Sequence, residues 1–107
     1  MGRRRIPRVT GGEPDTSDRL GFAVPAVSLD LHGYRTEEAR QKLRVFLQRV
    51  ARTHSGHVAR VITGRGVNSP DGPKLRPMVL EELELSAEAA VRWELSRDRG
   101  SVLIRIR

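Results

Sequence analysis

The chain has 107 residues, enough for one domain with a modest hydrophobic core. It has no cysteine, which excludes disulfides, thiolate catalysis and thiolate metal sites and fits a reducing, cytoplasmic location. A formal charge of +7 favours polyanions as partners, and no apolar run approaches the roughly 20 residues that a membrane span needs.

Residues 1–19 read as a flexible basic leader, since RRR, a proline and TGGEPDTSD offer little apolar content to order them. They hold five basic and three acidic groups, so +5 of the +7 belongs to residues 20–107, which read as one folded domain. MGRRRIPRV has the charge of a targeting segment but no apolar stretch after it. Residues 20–26, LGFAVPA, form an extended lead-in restrained by Pro25, and Val27 to Leu31 are a first strand ending at His32-Gly33.

Thr36 is the expected N-cap of the first helix, with Glu37 and Glu38 in the first turn where the helix dipole favours them. Ala39, Leu43, Phe46, Leu47 and Val50 follow at helical spacing, and Arg40, Arg44, Gln48 and Arg52 fall on the opposite side. The helix should stop within residues 53–57, with Gly56 as terminator. HVARVITG, residues 57–64, is a second strand, so strand, helix and strand make a right-handed βαβ unit with a parallel pair.

After the loop RGVNSPDGP, residues 74–85 form a second helix that stacks Leu75, Val79 and Leu83 and tolerates Pro77 as a first-turn residue. Residues 89–95 are a third strand, 97–100 a turn and 101–107 a fourth strand, paired as an antiparallel hairpin. Val102, Ile104 and Ile106 share one face; Leu103, Arg105 and Arg107 share the other, with the arginines read as solvated. The expected fold is a small two-layer α/β sandwich, a four-stranded mixed sheet covered by two helices.

Period-two alternation puts Asp30 and His32 on one side of the first strand, at the carboxyl end where α/β sites gather. The pair is open to four readings: a carboxylate-oriented general base, two ligands of a divalent metal, a protonated imidazole against phosphate, or a structural turn. No third ligand is near. His54 and His57 fall beyond the first helix and read as surface or capping residues, which disfavours a dedicated zinc site. Thr63, Gly64, Arg65 and Gly66 end the second strand at the same edge, where glycine amides and a guanidinium can meet an anion. Lys74 and Arg76 flank the start of the second helix and extend the same phosphate-binding cleft. Trp93, the one tryptophan, reads as core packing.

LDLHGYRTEEA (29–39), VITGRG (61–66), GPKLRPMV (72–79), a tryptophan strand and a glycine-containing hairpin together resemble the Smr (small MutS-related) domain over residues 27–107. The resemblance implies a fold similar to the C-terminal domain of translation initiation factor 3. It also implies endonuclease or nicking activity on DNA or RNA, or association with ribosomes or repair complexes. It assigns the reacting aspartate and histidine to Asp30 and His32, the glycine motif to Thr63–Gly66 and the basic residue of the second helix to Arg76. Mg²⁺ or Mn²⁺ is the cofactor to expect, none being tightly bound, and a non-catalytic docking module is the rival role. Two positions depart from the family pattern. Thr63 stands where many members have histidine, and the hairpin reads RDRGS where a glycine-rich turn is common.

Overall fold

The computed structural model describes residues 20, 23–64 and 71–107; the leader and Arg65–Gly66 lie outside the described residues. The elements are β1 (Val27–Asp30), α1 (Thr36–Thr53), β2 (Val58–Ile62), α2 (Gly72–Glu84), β3 (Ala90–Leu95) and β4 (Ser101–Ile106). They form one four-stranded sheet in the order β1-β2-β4-β3. β1 pairs parallel with β2, while β4 pairs antiparallel with both β2 and β3. β4 therefore enters between β2 and β3, so β2, α2 and β3 make a split crossover beside the direct βαβ unit of β1, α1 and β2. This is the mixed two-layer α/β fold expected from the sequence.

The core lies between the helices and one sheet face. Leu43, Phe46, Leu47 and Val50 of α1 and Leu75, Val79 and Leu83 of α2 are buried against Ala59, Val61, Val102, Ile104 and Ile106. Trp93 packs partly buried against the same cluster, and its strand partner is Ile104. On the other sheet face Leu20, Val58 and Leu103 form a small second cluster, so the segment before β1 is anchored at Leu20. Among the described residues no helix is long and apolar enough to cross a membrane.

Several local readings change. Thr36 is the first helical residue of α1 rather than its N-cap, because Arg35 holds the cap position in extended geometry. α2 starts at Gly72, two residues earlier than expected, because Pro73 with its fixed φ favours the first turn. Pro77 consequently lies in the second turn, where it has no N–H to give the Pro73 carbonyl. Arg40 and Arg44, read as opposite the apolar stripe, nonetheless reach the buried carboxylate of Glu82 on α2, Arg44 through two bonds of 2.9 and 3.1 Å while staying half-exposed, and Arg40 through one of 2.9 Å. Nor is the arginine side of β4 merely solvated, since Arg105 donates to the Gly56 carbonyl and Arg107 to that of Ala87.

The Asp30–His32 edge, a candidate nucleic-acid site

The register brings three chain segments to one end of the sheet. Asp30 lies beside Ile62, and Ile62 lies beside Ser101. The end of β1, the end of β2 and the tip of the β3–β4 hairpin thus adjoin. The helix starts gather at the same end, because the Asp71 carboxylate at the head of α2 accepts from the Thr36 backbone N–H (2.8 Å) and hydroxyl (3.0 Å) at the head of α1. Arg35 adds a longer ionic contact to Asp71 at 3.8 Å.

Asp30 and His32 meet directly. The His32 backbone N–H donates to Asp30 Oδ1 at 3.0 Å, closing a tight turn, and His32 Nδ1 lies 2.6 Å from the same oxygen. Both side chains are exposed, and with Gly33 and Tyr34 they line an open concavity. Burial pushes the Asp30 carboxyl up, but the His32 side-chain and backbone bonds and the imidazole charge outweigh it and hold the carboxyl below its ordinary value. An ionised carboxylate only accepts hydrogen bonds, so the proton between the two groups belongs on Nδ1. With the proton on Nδ1, Nε2 is the ring nitrogen not engaged by Asp30.

Gly64 sits against this pair. Its φ is +75°, and a Cβ built there would lie 3.3 Å from His32 Cβ. A side chain at this position would strain the backbone and press on the His32 side chain at its Cβ. The amides of Thr63 and Gly64 both donate to the Gly100 carbonyl at 3.0 Å. The Thr63 hydroxyl is buried and donates to the Gly64 carbonyl. The two amides fasten the β2 loop to the hairpin and the hydroxyl is used within the loop, so the phosphate contacts expected from Thr63 and Gly64 are not offered by these groups. Arg65 and Gly66 are outside the described residues.

Lys74 is exposed in the first turn of α2, close enough for its charge to act on Asp71. Arg76 points to the hairpin, where one terminal nitrogen donates to the Arg99 carbonyl. Its Nε is buried with no hydrogen-bond partner among the described residues. Arg76 is therefore a strut between α2 and the hairpin as well as a cationic side chain. At the far end of α1, Thr53 Oγ1 lies 2.8 Å from His54 Nδ1, and His57 Nδ1 lies 3.1 Å from the Ser55 carbonyl. Both imidazoles belong to the helix terminus, as expected.

Asp71, Gly100 and Arg99 are the site-end residues that sequence reasoning missed. An aspartate before Gly-Pro signals a cap for its own helix, and nothing local reveals that it caps one that begins 35 residues earlier.

The DxH turn lies against Gly64, the described part of the glycine motif, with the head of α2 at the same end of the sheet. A family model for the Smr domain matches residues 29–104, from one residue before Asp30 to the core strand β4. The chain belongs to the Smr domain family. Searches of curated proteins and of solved structures returned no match, so the likeness to the C-terminal domain of translation initiation factor 3 rests on the family resemblance alone.

The described donors of this Smr domain do not form a closed metal site. Among the described residues no group of three or more His, Cys, Asp or Glu side chains could hold an ion. Asp30 Oδ1, moreover, is already engaged twice by His32. Two exposed donors fall short of a closed coordination shell.

Proposed function

We propose that this Smr domain binds RNA and cuts it endonucleolytically, with His32 as general base and Asp30 as the carboxylate that orients it. The observation that carries this reading is the 2.6 Å contact between Asp30 Oδ1 and His32 Nδ1 at an open rim, which leaves Nε2 unencumbered. Nε2 takes the proton of a ribose 2′-hydroxyl as that oxygen bonds to the adjacent phosphorus. The bond to the 5′-oxygen breaks, and that oxygen takes a proton from water. The products are a 2′,3′-cyclic phosphate and a 5′-hydroxyl end.

RNA is preferred over DNA for a physical reason. The described site offers one imidazole, because Thr63 replaces the second and its hydroxyl is buried and bonded to the Gly64 carbonyl. A ribose hydroxyl is already positioned next to its phosphate, so a single base suffices, whereas hydrolysis must also capture and orient a water. Electrostatic affinity comes from a chain of formal charge +7.

The engagement of the Thr63 and Gly64 amides by Gly100 favours a second reading, a docking module for RNA, a ribosome or a repair complex without cutting. One experiment separates the two. Labelled RNA, single-stranded DNA and supercoiled duplex DNA are incubated with the protein and with its His32→Ala variant, with EDTA, Mg²⁺ or Mn²⁺, and binding is recorded in parallel. RNA cutting by the parent alone, insensitive to EDTA, supports the enzyme. Binding with equal or no cutting by the two proteins supports the docking module. Metal-dependent nicking of DNA replaces the 2′-hydroxyl route with a water route.

A further inference from the structure

The β3–β4 turn carries Arg97, Asp98 and Arg99, all exposed, at the sheet end that holds Asp30 and His32. It is a built turn. The Ser96 carbonyl accepts the Arg99 N–H at 3.0 Å, and the Ser96 N–H donates to the Ser101 carbonyl at 2.8 Å. The Asp98 carboxylate accepts from Ser96 Oγ at 2.6 Å and from the Gly100 N–H at 2.9 Å. The acidic group thus closes the loop from inside, while two guanidinium groups occupy its surface.

The turn is also fixed to the site. Gly100 accepts both loop amides of Thr63 and Gly64, Gly64 lies against His32, and Arg76 of α2 holds the Arg99 carbonyl. Two contacts, Gly100 to Gly64 and Gly64 to His32, link the arginine turn to the imidazole. Arg99 has φ +64°, the one non-glycine residue with positive φ among the described residues. Glycine would relax that position, yet the chain has a long cation there.

From this geometry we infer that the hairpin tip is a phosphate clamp. Arg99, with Arg97 beside it, holds the nucleic-acid backbone next to the segment presented to Asp30 and His32, and Arg76 is the positioning residue that fixes the clamp. The inference deepens the nucleic-acid reading and rests on it. It assigns to the hairpin the anion contacts that the Thr63 and Gly64 amides do not offer. A guanidinium fork suits the non-bridging oxygens of a phosphate and reads no base, so the clamp gives affinity and register rather than sequence preference.

The test is binding of a fluorescein-labelled single-stranded RNA by the full chain across a salt series, in a His32→Ala background that prevents cutting during titration. Arg99→Gly removes the cation while relaxing the backbone, so its melting temperature should hold or rise; Arg97→Gln with Arg99→Gly removes both cations. Each lost phosphate contact should flatten the slope of log K against log salt by about 0.7, so the double variant should lose about 1.4. Unchanged affinity and slope in a folded Arg99→Gly protein, with the Arg97→Gln addition also silent, would overturn the clamp and leave nucleic-acid binding standing. If the background protein itself fails to bind RNA, the clamp falls together with the reading it rests on.

Discussion

Asp71 caps a helix other than its own. It stands at the head of α2, and its carboxylate takes both the backbone N–H and the hydroxyl of Thr36 at the head of α1. The helix dipole of α1 adds to the attraction, and the pair locks the two helix starts behind the Asp30–His32 turn. The Thr36 backbone bond, then its hydroxyl bond, hold the Asp71 carboxyl below its ordinary value against the opposing effect of burial.

Asp71→Ala should therefore lower the melting temperature by roughly 5 °C, as expected for the loss of a helix cap in a domain of this size. Asp71→Asn, which keeps one acceptor oxygen, should recover part of the loss. Thermal melts followed by far-ultraviolet circular dichroism decide the matter, and equal melting temperatures for all three proteins would remove Asp71 from the fold's supports.

The Glu82 contacts predict a second effect. Its carboxylate is almost fully buried and receives three arginine bonds from α1. Removing it by Glu82→Ala leaves Arg40 and Arg44 able to turn toward water, so the cost should be about 1–2 kcal/mol rather than the larger cost of stranding a buried charge. Urea melts of the two proteins measure it. A Glu82→Leu protein should regain part of the loss by packing against the helix interface.

Acid stability follows from the same groups. The Arg44 hydrogen bond is the largest influence on Glu82, and with Arg40 it overcomes burial to lower the carboxyl below its ordinary 4.5; Asp71 is lowered from 3.8. A depressed folded-state value means that the native state binds its proton later than the unfolded chain does. The stabilisation is thus complete above the unfolded values and is lost as pH falls through the folded ones. Urea midpoints should be flat from about pH 7 to 5 and fall steeply below about pH 4, and Asp71→Ala with Glu82→Ala should shrink that fall.

How far these features could be read from sequence depends on the range of the interaction that makes them. The stripe Leu43, Phe46, Leu47 and Val50 and the alternation Val102, Ile104 and Ile106 are set by local periodicity, and all are buried as expected. Asp30 and His32 were legible as a pair because they lie two apart, but β1 ends at Asp30, and the tight turn closed by the His32 N–H, not strand alternation, brings them within 2.6 Å. What Arg40 and Arg44 meet was not legible, because helical spacing says which residues share a face but not what packs on it. Their partner Glu82 lies 42 and 38 residues away. The Gly64 amide looked available because its acceptor, Gly100, arrives only when β4 inserts beside β2.

The Gly64 position predicts a coupled loss of stability and activity. Gly64→Ala forces an alanine to φ +75° and sets its methyl 3.3 Å from His32 Cβ. The backbone strain and the tight contact should together cost about 1–2 kcal/mol, and the imidazole should turn away from Asp30. On the proposed mechanism, the variant should cut RNA more slowly than its loss of stability explains when assayed well below its melting temperature. A folded Gly64→Ala protein with parental activity would show that the glycine serves the turn alone.

The final prediction separates the two halves of the site. On the proposed mechanism, His32→Ala removes the base and should abolish cutting, whereas Asp30→Asn keeps the shape of the side chain but no longer fixes the proton on Nδ1. An amide at position 30 can donate as well as accept, so the imidazole is free to place its proton on Nε2, where it blocks the lone pair needed for catalysis. Asp30→Asn should therefore lower kcat by about 10²-fold or more while changing KM little, because neither variant touches the arginines of the hairpin. Steady-state kinetics on a short RNA, with salt-dependent binding measured on the same preparations, gives both numbers. If KM rose and kcat held, Asp30 would be a binding group, and the single-base mechanism would lose its orienting carboxylate.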